Sequence, residues 1–285
     1  KTPKQRYVDF NQGIDARLIN DDNMKLLSEI PINPLRIAFD NMKCEKVYSR
    51  AIHLAAKHGI KNLSNYLLYN ENEKPVELYQ RLKINIELCE ALDLNIYSFP
   101  MKYHPINGEE WYNNRNYIGL FWNKKFIRAV QTILNATKGK VGRGKSFFYE
   151  AFGKDENEFF KILYMPEPYI LYRFFFKDKG YTDKWWNDFN SFNQTDKEII
   201  KKIVSTNEFA DLSKYTSNSS VHQFINEHYL ISREDIKNTN SKYYQEKIEY
   251  DKMKSITKQA ILQFSKFQAQ SIVAKEPATM AIVLE

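Results

Sequence analysis

Cysteine is nearly missing from this chain: Cys44 and Cys89 are the only two in 285 residues. A disulfide scaffold is therefore excluded, and a chain of this length buries enough apolar surface to do without one. Such low usage points to a reducing, cytoplasmic setting. No apolar run approaches the roughly 18 residues that a membrane span needs, and no signal peptide precedes the first predicted strand, so no membrane partner is expected. An initiator Met is also absent, which raises the expectation that the chain is part of a longer protein. Acid is missing from one long stretch. Between Trp111 and Tyr149 there is no Asp or Glu, while Arg115, Lys124, Lys125, Arg128, Lys138, Lys140, Arg143 and Lys145 all fall there. The first 104 residues, with 15 basic and 13 acidic side chains, are nearly balanced, so the net charge of +7 is concentrated in that window. A composition of 43% hydrophobic and 27% charged residues is that of a folded globule.

What is present in the first hundred residues is an alternation of two periods. Strands are predicted over Tyr7–Leu18, Leu35–Asp40, Asn62–Asn70 and Asn95–Tyr103. Between them, helices are predicted over Asp21–Ile30, Glu45–His58 and Pro75–Leu92, with Gly59 terminating the second and Pro75 opening the third. Strand starts about 30 residues apart match a parallel βα repeat, hence an α/β barrel or a doubly wound sheet. The fold class expected is α/β: a partial parallel (βα) barrel of about four units over residues 1–106, then a mainly helical, basic region over 107–285.

The strands carry an unusual polar set. In YVDFNQGIDARL, Asn11, Gly13, Asp15 and Arg17 alternate with Ile14, Ala16 and Leu18. Successive side chains of a strand point to opposite faces, so helices covering the apolar set leave the polar set on the other side. Asp40, Asn65, Asn70 and Ser98 extend this tendency. The alternatives are a polar barrel interior open to a ligand and a solvated sheet face. The first makes Asn11, Asp15, Arg17, Asp40, Asn70, Ser98 and His104 candidate binding residues, since functional groups of parallel barrels gather at the strand C-termini.

Beyond residue 107 most of the chain reads as helix, apart from a further strand predicted at Tyr169–Phe176. The run from Gly139 to Ser146, GKVGRGKS, satisfies the phosphate-loop pattern. That loop needs a strand before it, whereas FIRAVQTILNATK has helical spacing, so a basic loop between two helices, with Gly139 ending the first, is the competing reading. The acid-free window also interleaves Trp111, Tyr112, Tyr117, Phe121, Trp122, Phe126, Phe147 and Phe148 with its cations. Cations on phosphates and rings stacked on bases are the ingredients of single-strand recognition. Lys138, Lys140, Arg143 and Lys145 are accordingly candidate contacts to nucleic acid or a phosphorylated ligand. His53 and His58 lack the i, i+4 spacing of a metal pair, and Trp185 and Trp186 are expected in a core or interface.

Taken in order, DFNQGIDARLINDDNMKLLSEI, LRIAFDN, VYSRAIHLAAKHGIKNLSNYLLYN and NIYSFPMKYHPI resemble the second half of a radical S-adenosylmethionine (SAM) enzyme core, over about 100 of the 285 residues. Asp40 stands where many members place the Glu of a Gly-x-Glu, and the usual Gly-x-Pro-Gly-Glu-Thr is replaced here by residues 69–75. The resemblance implies SAM and a 4Fe–4S cluster as cofactors, radical chemistry on an unknown substrate, and Asp15 and Arg17 as contacts to SAM. The cluster needs a Cys-x3-Cys-x2-Cys triplet, which this chain lacks. Its ligands are therefore expected upstream of Lys1. By itself the chain is expected to be inactive. The alternative is a non-catalytic protein that binds nucleic acid or nucleotide through residues 111–149.

Overall fold

The computed structural model describes residues 6–106 and 116–273. Leu35–Arg36 (β1), Asn62–Tyr69 (β2) and Asn95–Lys102 (β3) form a parallel sheet in the order β1-β2-β3. The long pairing runs from Asn62 opposite Asn95 to Tyr69 opposite Lys102. Strand order thus follows chain order. The connecting helices Glu45–Lys57 (α2) and Pro75–Leu92 (α3) pack on one face, after a first helix Asp21–Ser28 (α1). A doubly wound sheet reverses its order and carries helices on both faces, an arrangement not seen among the described residues.

The predicted first strand needs correcting. Tyr7–Leu18 is not a continuous strand: it touches the sheet through two isolated parallel bridges, Val8 with Ile32 and Ile14 with Ile37. Two local features break it. Gly13 turns into the left-handed region (φ +80°), donating to Phe10 O at 2.7 Å, and the Asp15 carboxylate accepts from Arg17 N at 2.9 Å, which starts a 3₁₀ turn over Ala16–Leu18. The second strand is also shorter than predicted, although Ile37 N still donates to Ser64 O and Ala38 N to Ile14 O.

The core between sheet and helices is built from Leu35, Ile37, Phe39, Leu63, Leu67 and Ile96, closed by Tyr48, Ala51, Ile52, Leu78 and Leu82. Phe39 and Tyr48 stack at 4.2 Å. Asn65 and Ser98 lie in this layer, a second correction. Asn65 donates to Tyr48 Oη (2.7 Å), Tyr48 to Asn85 Oδ1 (2.8 Å) and Asn85 to Ser98 Oγ (2.8 Å). Asn65 has the parity of Leu63 and Leu67, and Ser98 that of Ile96, so the pleat turns both toward the helices instead of the open face. Arg81 of α3 is fully buried and donates to the carbonyls of Phe39 (3.0 Å), Asp40 (2.8 Å) and Leu68 (2.6 Å).

The chain then continues as helices Lys124–Ala136 (α4), Lys145–Phe152 (α5), Glu156–Tyr164 (α6), Glu167–Leu171 (α7), Arg173–Asp178 (α8), Tyr181–Ser191 (α9), Gln194–Thr206 (α10) and Ser219–Tyr229 (α11). The strand predicted at Tyr169–Phe176 is instead α7 and α8. Pro168 sits in the first turn of α7, and Tyr169, Ile170, Phe175 and Phe176 are buried against other helices, so the short apolar run is core helix. The described residues up to Leu230 form one compact unit. Tyr79 of α3 meets the rings of Phe148 (5.5 Å) and Phe159 (5.3 Å) and donates to Gly153 O (3.2 Å). The second unit begins at Ile231 and contains the helix Lys242–Val273 (α12), whose Met253, Ile256, Ile261 and Leu262 are exposed. No described helix is long and apolar enough to cross a membrane.

Replacing Arg81 by Met keeps the bulk and removes donors from three strand-end carbonyls. The expected loss is about 3 kcal/mol of unfolding free energy, read from urea denaturation. An unchanged midpoint would contradict the clasp.

Candidate functional site

With α2 and α3 on one side, the other face of the sheet presents Arg36, Ser64, Tyr66, Tyr97, Phe99 and Met101. Arg36 pairs with Asp9 (2.7 Å), donates to Ser64 Oγ (3.1 Å) and lies 5.7 Å from the centre of the Tyr66 ring. Tyr66 and Phe99 are 5.9 Å apart, and Lys140 Nζ is 5.3 Å from the Tyr97 ring. Tyr97 and Met101 keep 40% and 48% of their surface exposed, so this face is aromatic, cationic and reachable. None of these side chains stood out in sequence. Their only signal was the shared parity along each strand.

Asp15 and Arg17 sit at the carboxyl edge and bond each other, Arg17 Nη2 to Asp15 Oδ2 at 2.6 Å and Nε to Oδ1 at 2.9 Å. Hydrogen bonds from Arg17 hold the Asp15 carboxyl below the usual carboxylate range. Arg17 also feels the charge of Asp40, whose carboxylate is exposed and whose carbonyl accepts from Arg81. The structure thus gathers Asp15, Arg17 and Asp40. Asn11 and His104 are exposed on their loops. Asn70 is buried, with φ +73°, and acts as a clasp: Nδ2 donates to Tyr103 O (3.1 Å) and Tyr117 O (3.0 Å), while Oδ1 accepts from Gly119 N (2.9 Å). Ser98 belongs to the buried network, not to an open face.

Two groups at the same edge were missed. Glu73 follows β2; burial pushes its carboxyl up, and among the described residues its Oε1 finds no hydrogen-bond partner. Lys102 closes β3, half-buried, and burial pushes its ammonium down.

The basic window folds into a less basic surface than its sequence implies. Lys124 pairs with Glu208, Arg128 with Glu167 (2.9 Å), Lys145 with Glu90 (2.7 Å) and Arg143 with Asp93 (3.5 Å). Lys125 is buried and donates to Met165 O (2.6 Å). Lys138 is exposed at φ +56°. Trp122, Phe126 and Phe148 are core; Trp111, Tyr112 and Arg115 lie outside the described residues. GKVGRGKS runs from the loop after α4 into the first two residues of α5, with Gly139 N bonded to Leu134 O (2.7 Å) and Val141 in an antiparallel bridge to Ser98. A helix, not a strand, precedes it.

Cys89 is buried, accepts from Ile96 N (3.3 Å), and burial pushes its thiol up; Cys44 is half-buried before α2. Two cysteines on separate elements do not fit a cluster that takes three thiolates. Among the described residues Asp188, Glu227 and His228 offer ligand atoms within 4.8 Å of one another. Lys184 Nζ already bonds Asp188 (2.6 Å) and Glu227 (2.8 Å), which offsets one of the two carboxylate charges.

Two outcomes follow. A Cβ on Gly119 would lie 2.3 Å from Glu71 O and 2.8 Å from Asn70 O, so Gly119→Ala should cost about 2 kcal/mol or more by thermal unfolding. Burial pushes the Lys125 ammonium from its ordinary 10.5 down to about 8, so the unfolded chain binds more protons between those values and stability should rise with pH there. Lys125→Met should remove that rise, at most about 1.4 kcal/mol per pH unit, in denaturation midpoints compared from pH 7.5 to 10.5. No family model, curated protein or solved structure matches this chain.

Proposed function

We propose that residues 7–102 are one arc of a radical SAM barrel, with the open sheet face forming part of the wall around SAM and substrate. The observation that carries this reading is the singly wound parallel order, with helices on one face and Arg36, Tyr66, Tyr97, Phe99 and Met101 left on the other. A closed (βα) barrel is built from such arcs, and its ligands meet the strand C-termini. That edge carries Asp15, Arg17 and Asp40. Arg17 uses Nε and Nη2 on Asp15, which leaves Nη1 to meet a carboxylate. Asp15 orients the guanidinium, and the open-face rings would exclude water beside the substrate. The cysteines here do not fit the cluster, so no step through it is assigned to these residues.

The test begins with the complete open reading frame encoding this chain. Its product, reconstituted anaerobically with iron and sulfide, should convert SAM to 5′-deoxyadenosine, and Arg17→Ala should weaken SAM binding about tenfold or more. Absence of a cysteine triplet from the frame, or of 5′-deoxyadenosine from the reaction, refutes the reading.

A further inference from the structure

A cleft runs between α6 and α9, far along the chain from the sheet and independent of the reading above. Its wider part, about 520 Å³, is walled by Phe160, Tyr164, Trp185, Trp186 and Phe189. These rings are fixed. Trp185 Nε1 donates to Tyr229 Oη (3.1 Å), Tyr229 donates to Tyr164 O (2.8 Å), and Trp186 and Phe189 stack at 5.6 Å. Beside it lies a smaller polar recess of about 190 Å³, lined by Arg173, Lys177 and Thr182. Lys161 lines both, and its ammonium stands 4.6 Å from the centre of the Trp186 ring.

The recess holds two groups that the described residues leave unsatisfied. Thr182 is 8% exposed, and among the described residues its Oγ1 has no hydrogen-bond partner. Buried polar groups are nearly always bonded, so an orphan hydroxyl on a cavity wall calls for an explanation. Arg173 bonds one carbonyl, Ala151 O at 3.0 Å, and among the described residues neither it nor Lys161 has a carboxylate at ion-pair distance. Glu150, Glu158 and Asp183 line the recess too and their charges act on Arg173 and Lys161, but Lys154 and Lys177 bring the cations there to four against three acids. Glu158 accepts from Lys154 N (2.8 Å), Glu150 lies 3.8 Å from Lys177, and Asp183 is exposed. A half-buried guanidinium that no described carboxylate contacts directly is suited to an anion.

We propose that this cleft binds a planar aromatic ligand bearing an anionic group, of the class of a nucleoside monophosphate. The ring stacks on Trp186 in the aromatic part, and the anion enters the recess to meet Arg173, Lys161 and the Thr182 hydroxyl. Lys161 links the two halves: it covers Trp186 in the free protein and turns to the anion when a ring takes its place.

The experiment is calorimetric titration of the full chain with AMP, adenosine and inorganic phosphate in parallel. AMP should bind saturably, one per chain, and adenosine and phosphate each about tenfold or more weaker. Lys161→Met should weaken AMP about tenfold and leave adenosine unchanged, whereas Trp186→Ala should weaken both. Lys161 is half-buried and among the described residues makes no ion pair, so its variant is expected to fold and carries the test if Trp186→Ala does not. No saturable heat with AMP overturns the proposal. So does phosphate binding as tightly as AMP, or Lys161→Met retaining the parent affinity, the result expected if AMP binds elsewhere on the chain.

Discussion

The guanidinium of Arg81 is buried where the carboxyl ends of β1 and β2 meet, and there it bonds the carbonyls of Phe39, Asp40 and Leu68. Strand ends in a parallel sheet leave carbonyls without ladder partners, and covering them with a helix would strand them from water. Arg81 extends from that covering helix and supplies the missing donors. Burial pushes it down, and the charges of Glu73, Glu77 and Asp40 act in the opposite sense. A buried ion seldom adds net stability over an apolar replacement of the whole network, but it fixes one arrangement. Here that arrangement sets the height of α3 over the sheet, and with it the ends of two strands.

The same edge is secured again one residue past β2. Asn70 holds the Tyr103 and Tyr117 carbonyls and the Gly119 amide, and Trp122 Nε1 donates to Glu73 O at 2.9 Å. The edge carrying Asp15, Arg17 and Asp40 is thus built on a rigid base, while its own charged side chains stay at the surface. Fixed backbone beneath adaptable polar groups suits a site that must receive a ligand.

Much of the first hundred residues was legible in sequence because period and punctuation agreed. β2, β3, α2 and α3 are bounded by Gly59, Pro75 and the turn at Asp93, and their apolar positions keep one spacing. Tyr7–Leu18 misled because alternation says nothing about Gly13 turning left-handed or about Asp15 capping its neighbour. Asn65 and Ser98 misled because a polar residue was assigned to the polar face, whereas parity with Leu63 and Ile96 decides direction. The basic window misled most simply. Its counter-charges, Glu90, Asp93, Glu167 and Glu208, all lie outside it in sequence and return to it only in the fold. Asp15, Arg17 and Asp40 were legible as polar candidates among seven, but neither their proximity nor the Asp15–Arg17 bond was. Arg36 and Tyr66 were hidden because one charge or ring among apolar neighbours reads as ordinary strand.

The clasp at Asn70 carries a consequence for substitution tolerance. Its backbone lies in the left-handed region, which excludes nearly all residues but Gly, Asn and Asp. Its side chain must offer two donors and one acceptor at once, which removes Gly and, for want of donors, Asp. Conformation and chemistry each leave a short set, and the two sets share a single member. Position 70 therefore has no conservative replacement, although nothing about its place in a polar loop would distinguish it from its neighbours Asn72 or Lys74.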